Sequence, residues 1–259
     1  MSSKRIKRIT NEIKELETSI KVLEDSGIYI HYDETNINII YAMLYGPENT
    51  PYEKGFYFFT FQYPESYPME PPIAKYYTQG VLRHPTSNSL YSVRFNPNLY
   101  VCGKVCLSML NTWAGPGWVP TNTISNVLVA IQALVLNEEP LRNEPGFEFS
   151  EKKIIEKYSN FIQFSNIKIS VLEMLSNTPK NFVFFKDKMN ELFIKNIEYY
   201  RSFVLKSNEK FKNTIMDSPA YGMKCDSDYQ TLFLEIDKME ETILSCIANN
   251  SLKIESISI

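Results

Sequence analysis

The stretch FNPNLYVCGKVCLSMLNTW, residues 95–113, carries the features on which the interpretation of the whole sequence depends. It contains two cysteines, Cys102 and Cys106, and two asparagines, Asn96 and Asn98, with a proline between the asparagines. No histidine or acid accompanies the thiols, although a protease-type cysteine needs a neighbouring base to generate its thiolate. An Asn-Pro-Asn tripeptide alone indicates only a turn. A reactive cysteine here must therefore depend on positioning more than on a proton acceptor.

The composition predicts a globular protein without a general preference for charged partners. The chain has 259 residues, 44% of them apolar, and a formal net charge of -3 from 27 basic and 30 acidic residues. This balance gives no broad attraction to nucleic acid or to an anionic membrane. The longest apolar stretch, VLVAIQALVL at residues 127–136, is well short of the roughly 20 residues that span a bilayer. Four cysteines without a C-x-x-C spacing favour a reducing compartment, so we expect a cytoplasmic protein, with the nucleus as a second location.

The first half of the chain predicts a helix followed by an antiparallel sheet. Apolar residues spaced by three and four predict an amphipathic helix over residues 4–24, which Gly27 ends. Residues 28–63 carry β-rich runs divided by turn residues, which predicts an antiparallel meander. The proline-rich residues 64–72 exclude a central strand or helix and predict an extended crossing. Residues 83–118 lack clear periodicity and predict a long loop, and long ordered loops are usually functional.

The second half predicts mainly helices. One helix is expected to begin at Thr123, and NEEPLRNEPG ends it with two prolines and a glycine. Helical apolar spacing returns in four later segments, at about residues 151–164, 166–176, 181–207 and 228–248. We therefore expect an α+β core domain over residues 1–150 and an α-helical C-terminal extension over residues 151–259. The part of the extension up to residue 207 is expected to pack on the core.

Five blocks of the sequence, taken in order, resemble the signature of the ubiquitin-conjugating enzyme (E2) family. They are GPENTPYEKG, SYPMEPP, NPNLYVCGKVCLSML, GWVPTNTISNVLVAIQAL and EPLRNEPGFE. The resemblance covers residues 4–150 and continues more loosely to residue 215. It implies an α+β UBC (E2) fold with an N-terminal helix, a four-stranded antiparallel meander, a long active-site loop and helices, extended here by the C-terminal helices. The stretch RFNPNLYVCGKVCLSMLNTW is most similar to the giant hybrid E2/E3 enzymes of the apoptosis-inhibitor type.

The resemblance also implies which residues are catalytic. Cys106, in the motif Gly-Lys-Val-Cys-Leu, stands where the family has its nucleophile. Asn98, eight residues earlier, stands where the family has the asparagine of a His-Pro-Asn motif. Asn96 replaces the histidine of that motif, and the family's histidine is mostly structural. Glu144, in RNEPG, matches the acidic residue that the family places after the helix. Cys106 needs no metal and no organic cofactor, because ATP is consumed upstream by the activating enzyme (E1).

The reaction implied by the resemblance requires little machinery. The cysteine exchanges one thioester for another, and the attacking and leaving sulfurs have similar pKa values, so little driving force must come from the protein. When a lysine amine then attacks, a fixed amide donor such as Asn98 would stabilise the oxyanion and accelerate the step by roughly 10²- to 10³-fold. The lysine must lose a proton, and desolvation beside an acid such as Glu144 is one way to arrange that loss.

The partners implied are ubiquitin, an E1 activating enzyme, an E3 ligase and protein substrates, with no nucleic acid and no membrane. Met69 and Pro120, with Thr121 adjacent, fall where E2 enzymes present an exposed loop pair to E3 or E1 partners. The alternative is that Met69 packs against the proline run. The basic end KRIKR, residues 4–8, either meets the activating enzyme or forms a solvated charged face.

Several alternatives stay open at the level of the sequence. Cys102 is expected to be a passive loop residue, and Cys225 and Cys246 are expected to be packing residues. A protease dyad of Cys106 with His84 is conceivable, because His84 lies in the loop before the site. The missing histidine of the motif is compatible with a catalytically inactive E2-like module that binds ubiquitin or an E3. An E2 for another ubiquitin-like modifier fits the same motifs.

Overall fold

The computed structural model describes residues 3–33, 35–212 and 214–257, and side chains as far as residue 249. Over these ranges no helix combines the length and the apolar character needed to cross a bilayer.

The predicted N-terminal helix is present and is interrupted once. Helix α1 spans Ser3–Thr18 and helix α2 spans Ile20–Asp25, with Ser19 between them. The buried apolar side chains of α1 are Ile9, Ile13 and Leu16. These positions are spaced by four and three, so the apolar face found in the sequence is the face that packs on the sheet. Gly27 follows with a φ of 78°, a left-handed conformation that glycine adopts without steric cost.

The predicted meander forms a four-stranded antiparallel sheet in the order β1-β2-β3-β4. Its strands are β1 (Ile28–Asp33), β2 (Asn36–Tyr45), β3 (Phe56–Gln62) and β4 (Ile73–Tyr76). Strand β3 is buried at every residue except its last. Because side chains alternate between the faces of a sheet, this burial shows that both faces are covered at the centre. The proline-rich segment between β3 and β4 contains no strand or helix, as predicted.

Two small hairpins were not predicted. Strands β5 (Val81–Arg83) and β6 (Leu90–Ser92) pair at the start of the long loop predicted over residues 83–118. Strands β7 (Ile215–Asp217) and β8 (Lys224–Asp226) pair in the extension, between the helical segments predicted at residues 181–207 and 228–248. Residues 93–118 otherwise form loop and turns, apart from a short 3-10 helix at Ser108–Leu110.

The helix predicted to start at Thr123 begins with a capping box. Helix α3 spans Ile124–Ala130, and Thr123 and Asn126 satisfy each other's backbone N–H groups at its start. The helix continues without a break as a π-helix over Ile131–Val135. A 3-10 helix over Pro140–Asn143 then leads into the loop that carries Glu144.

The extension is mainly helical, as predicted, with more divisions than the apolar spacing showed. Helix α4 (Lys152–Ser165) continues as a π-helix (Asn166–Glu173) into the short helix α5 (Met174–Ser176). After a 3-10 helix (Lys180–Phe185) follow helices α6 (Lys186–Lys195), α7 (Ile197–Phe211) and α8 (Tyr229–Ile257).

The extension packs on the core, as expected for its first part. The Tyr57 hydroxyl of β3 donates to Asn166 Oδ1 at 2.6 Å, and the Tyr200 hydroxyl of α7 donates to the Lys54 carbonyl at 2.8 Å. Phe182 packs on the sheet, with its ring centroid 4.8 Å from that of Phe58. Buried apolar residues of both parts belong to one hydrophobic cluster. The boundary at residue 150 stays a prediction, because the packing is continuous across it.

Candidate active site

Asn96, the residue that departs from the family motif, is fully buried and braces the loop. Its Nδ2 donates to the Tyr52 hydroxyl at 2.8 Å and to the Val135 carbonyl at 2.6 Å. Its Oδ1 accepts the backbone N–H of Asn98 at 2.7 Å. The Tyr52 hydroxyl in turn donates to the Phe95 carbonyl at 2.9 Å. Because these bonds satisfy the buried amide, Asn96 fixes the Asn-Pro-Asn turn against the end of the α3 helix without a histidine.

Asn98 and Cys106 are joined by two hydrogen bonds. The Cys106 N–H donates to the Asn98 carbonyl at 2.8 Å, and Asn98 Nδ2 donates to the Cys106 carbonyl at 2.9 Å. An amide nitrogen carries two hydrogens, so the second N–H of Asn98 remains for another acceptor near the cysteine. Its Oδ1 is buried and has no hydrogen-bond partner within the described part of the chain. The eight-residue spacing in the sequence thus corresponds to direct contact.

Cys106 itself is enclosed, with 1% of its surface exposed. Thr112 holds the backbone on both sides of the cysteine: its Oγ1 donates to the Val105 carbonyl at 2.8 Å and accepts the Leu107 N–H at 2.9 Å. Both neighbours of the cysteine are buried as well. The sulfur therefore becomes reachable for a large substrate only if its surroundings shift.

The loop after the cysteine folds back on itself. Residues 111–117 are all exposed, and Asn111 closes the loop by accepting the Trp118 N–H at 2.8 Å. Gly115 has a φ of 128°, and a Cβ added there would lie 3.1 Å from the Ser108 Cβ. The tip of this loop therefore rests against the residue two positions after Cys106, where only glycine fits easily.

Glu144 is half-buried and is held from the extension. Its carboxylate Oε2 accepts a hydrogen bond from the hydroxyl of Tyr221, a residue 77 positions further along the chain. On its other side the loop is tied to the helix end, because Asn143 Nδ2 donates to the Leu134 carbonyl at 2.9 Å. The predicted acid is thus fixed between α3 and the β7–β8 hairpin.

Arg94 connects Tyr221 to the Asn-Pro-Asn turn. Its guanidinium carbon lies 3.9 Å from the ring centroid of Tyr100 and 4.4 Å from that of Tyr221, distances at which a cation is attracted to an aromatic face. Its Nη2 donates to the Pro97 carbonyl at 2.6 Å. Contacts therefore run from the predicted acid, through Tyr221 and Arg94, to the turn that contacts the cysteine. The structure thus links Glu144 indirectly, by way of Tyr221 and Arg94, to the paired Asn98 and Cys106.

The three residues predicted to face E3 or E1 partners are exposed on neighbouring loops. Met69 is 72% exposed, and Pro120 and Thr121 are exposed as well. Trp118 joins the two loops, since its Nε1 donates to the Pro68 carbonyl at 2.8 Å. The alternative that Met69 packs against the proline run is wrong, because most of its surface is open to solvent.

The basic N-terminal segment is not simply a solvated face. Arg5 is buried, and its guanidinium donates to the carbonyls of Tyr63 and Pro64. Arg8 Nη2 donates to the Asn122 carbonyl at 2.8 Å. Helix α1 thus supports both exposed loops, while its two lysines in this segment are exposed.

The remaining histidine and cysteines lie apart from this chemistry. His84 Nδ1 accepts the N–H of Ser87 at 3.3 Å, so its ring bonds its own turn. Cys102 is exposed in the loop, as expected, and burial raises the pKa of the Cys225 thiol to about 12, as fits a packing residue. The prediction for Cys246 is wrong, because this cysteine is exposed. Within the described residues, no group of three or more histidine, cysteine or acidic side chains is arranged to hold a metal ion.

Sequence reasoning missed Arg94, Thr112 and Tyr221. Arg94 and Thr112 lie inside or beside the motif, but their roles depend on bonds to backbone carbonyls, which no residue pattern specifies. Tyr221 lies between the helical segments predicted at residues 181–207 and 228–248, where the sequence indicates no site. Its contacts with the site depend on chain packing over more than 75 residues.

Comparison with known proteins bears out the resemblance. The family model described as "Ubiquitin-conjugating enzyme" matches residues 8–158. "Ubiquitin-conjugating enzyme E2 Z" of Homo sapiens is 34% identical over 233 residues, covering 90% of this chain and 63% of that protein. "Dual E2 ubiquitin-conjugating enzyme/E3 ubiquitin-protein ligase BIRC6" of Homo sapiens is 37% identical over 185 residues, covering 68% of this chain and 4% of that protein. A crystal structure of a ubiquitin conjugating enzyme E2 from Plasmodium falciparum matches 48% of this chain and 92% of its own at 24% identity, with a TM-score of 0.36.

The fold and the paired Asn98 and Cys106 are those expected of an E2-type protein, and the family model covers more than half of the chain. The chain therefore belongs to the ubiquitin-conjugating enzyme family. The similarity to a hybrid E2/E3 enzyme agrees with the subgroup predicted from the cysteine stretch. The chain spans less than two thirds of the length of the E2 Z proteins that it matches.

Proposed function

We propose that this protein is an E2 that accepts ubiquitin from an E1 as a thioester on Cys106 and transfers it to a lysine of a target protein, directly or with an E3. The observation that carries the proposal is the pair of hydrogen bonds that holds Asn98 against Cys106. Family membership supports the reaction class, and the names of the relatives support ubiquitin as the modifier.

In the first step the Cys106 thiolate attacks the carbonyl carbon of the E1–ubiquitin thioester. A new carbon–sulfur bond forms, the old one breaks, and the E1 thiolate leaves. The attacking and leaving sulfurs are chemically alike, so the step is close to balanced and depends on the fraction of thiolate and on access. ATP is used upstream by the E1, and Cys106 requires no cofactor of its own.

In the second step a lysine amine attacks the thioester carbonyl on Cys106. The carbon–nitrogen bond forms, the Cys106 thiolate leaves, and the proton of the lysine ammonium passes to solvent. We assign the free N–H of Asn98 to the oxyanion of the tetrahedral intermediate. Glu144 is assigned to the approach of the lysine, where a carboxylate favours desolvation and loss of the proton.

The surface formed by Met69, Pro120 and Thr121 is proposed to receive E1 or E3 partners. Its support is the exposure of all three residues and the hydrogen bond from Trp118 that holds the two loops together. We place the protein in the cytoplasm, with the nucleus as a second location, because its free thiols fit a reducing compartment.

A catalytically inactive module is the second candidate, and one observation favours it. Cys106 is 1% exposed, whereas a nucleophile must be reached by its substrate. Against it stands the brace made by Asn96, which holds the motif in place without the family's histidine. Conjugation of another ubiquitin-like modifier is distinguished by the same experiment.

The test is incubation of the full chain with E1, ATP and each of a panel of ubiquitin-like modifiers. We expect a thiol-sensitive adduct with ubiquitin, and a thiol-resistant ester with Cys106→Ser. Cys102→Ser is the matched control, since it removes an exposed thiol from the same loop and is expected to charge normally. Absence of an adduct, or a thiol-sensitive adduct on Cys106→Ser, would contradict the proposal. If only a different modifier forms the adduct, that modifier takes the place of ubiquitin in the proposal.

In single-turnover discharge to free lysine, Asn98→Ala is expected to charge and then to transfer roughly 10²-fold more slowly, the usual loss for one oxyanion donor. An unchanged transfer rate would remove Asn98 from the reaction.

A further inference from the structure

The β7–β8 hairpin of the extension reaches the active-site loop and is anchored there at several points. The Tyr91 hydroxyl of β6 donates to the Lys224 carbonyl at 2.8 Å. The Arg94 N–H donates to the Met223 sulfur at 3.3 Å. Met216 and Cys225, which face each other across the hairpin, are buried. The hairpin is therefore fixed by contacts other than those of Tyr221.

Tyr221 occupies the turn of this hairpin in an unusual backbone conformation. Its φ is 65°, in the left-handed region that non-glycine residues rarely adopt. Gly222, with a φ of 62°, follows it and meets the same demand without a side chain. A tyrosine held in this conformation indicates that its side chain has a specific role, since such backbone cost clusters at functional positions.

The side chain of Tyr221 contacts both halves of the candidate site. Its hydroxyl donates to Glu144 Oε2, and its ring lies 4.4 Å from the guanidinium carbon of Arg94. Arg94 holds the Pro97 carbonyl, next to the peptide nitrogen of Asn98. Burial, and then the bond to the Glu144 carboxylate, raise the pKa of Tyr221, so the hydroxyl keeps its proton and remains a donor at neutral pH.

We propose that Tyr221 is a positioning residue for lysine transfer, through which the C-terminal extension orients the Glu144 carboxylate and supports the turn that presents Asn98. The inference rests on the proposed function. It assigns the two parts of the side chain different tasks: the hydroxyl acts on the acid, and the ring acts on Arg94. Thioester formation on Cys106 needs neither task, whereas attack by a lysine needs both.

Two substitutions separate these tasks, and a third is the matched control. Tyr221→Phe removes the donor to Glu144 and keeps a ring over Arg94. Tyr221→Leu removes both contacts. Tyr91→Phe also removes one phenol hydroxyl that anchors the same hairpin, but this hydroxyl bonds the Lys224 carbonyl rather than Glu144 or Arg94.

Each full-length variant is charged with ubiquitin, and the thioester is then discharged to lysine or to hydroxylamine. Hydroxylamine is a neutral nucleophile at pH 7, so its attack does not need an acid to promote deprotonation of an ammonium group. We expect Tyr221→Phe to charge normally and to discharge to lysine about tenfold more slowly, less than the 10²- to 10⁴-fold typical of a positioned acid or base. Its discharge to hydroxylamine should be unchanged. Tyr221→Leu should slow both discharges, and Tyr91→Phe neither.

A double substitution provides an independent check. If the hydroxyl acts through the carboxylate, Tyr221→Phe adds no further loss of lysine discharge in a Glu144→Gln background. If the losses from Tyr221→Phe and Glu144→Gln multiply, the proposal is overturned. It is also overturned if Tyr221→Phe slows discharge to lysine and to hydroxylamine equally, or if Tyr91→Phe slows discharge to lysine as much as Tyr221→Phe does. If the wild-type chain does not charge at all, the proposed function fails and this inference with it. If the wild type charges and Tyr221→Phe transfers to lysine at the same rate, only this inference fails.

Discussion

At the scale of the residue, Asn96 shows how a motif can lose its histidine and keep its geometry. Its amide donates to Tyr52 and Val135 and accepts from Asn98, and the side chain is fully buried. Substituting alanine would leave the Val135 carbonyl and the Asn98 N–H without their partners. A buried polar group that loses its partner costs about 1–3 kcal/mol.

We therefore predict that Asn96→Ala lowers the free energy of unfolding by about 3 kcal/mol, the sum of several such losses. The measurement is urea unfolding of the full chain, with the change read at a constant m-value. Asn11→Ala is the control, since Asn11 is exposed on α1 and a change there is expected to stay within about 0.5 kcal/mol. Equal stability of Asn96→Ala and wild type would show that the brace does not stabilise the loop.

The sequence predicted the contact between Asn98 and Cys106 because motif spacing fixes neighbours within one loop. It could not predict that Cys106 is enclosed, since the burial of a side chain depends on tertiary packing. It also missed the partner of Glu144, because Tyr221 lies 77 positions away and only tertiary packing joins them. Local spacing thus identified the candidate catalytic groups, whereas their surroundings could be seen only in the folded structure.

At the scale of the element, the start of α3 affects the site through the helix. Thr123 accepts the Asn126 N–H, and the Asn126 side chain accepts the Thr123 N–H. The same helix continues to Val135, whose carbonyl accepts a hydrogen bond from the Asn96 side chain. Fraying at the start of this helix would therefore weaken the support of the Asn-Pro-Asn turn.

We predict that Thr123→Ala costs about 1 kcal/mol of stability, the usual value for loss of an N-cap. Ser125→Ala, two residues later in the first turn of the same helix, is the control. It should be neutral or slightly stabilising, because alanine favours the helix. Thermal unfolding of the two variants measures the difference. A loss in Ser125→Ala equal to that in Thr123→Ala would mean that the cap is not the cause.

The elements predicted from the sequence are those long enough for the spacing of their apolar residues to repeat. Strands β1 to β3 and helix α1 each carry several alternating or helically spaced apolar residues. Strands β5 to β8 have three residues each, too few for alternation to be visible, and they were missed. The π-helices were missed for another reason, since a short apolar stretch does not specify whether its backbone bonds are of the α or the π type.

At the scale of the whole molecule, the extension packs on the central sheet through Phe182. Phe182 contacts the rings of Tyr41, Phe58 and Tyr77, at centroid distances of 5.8, 4.8 and 5.1 Å. Phe58 and its neighbour Phe59 point to opposite faces of the sheet and are both fully buried, so both faces are covered. Removing residues 151–259 would expose this apolar surface, so the core and the extension should unfold together.

The last prediction tests this coupling with one side chain. Phe182→Ala should cost about 3–5 kcal/mol, as expected when a fully buried phenylalanine is truncated. Val183→Ala, at the next position but 56% exposed, should change stability by less than about 0.5 kcal/mol. Urea unfolding followed by circular dichroism should give a single transition for both variants, with the midpoint lowered only in Phe182→Ala. Because the damaged contact joins the two parts, a second transition, or a protease-resistant fragment ending near residue 150, would show that the core folds without the extension and that the sheet does not need this cover.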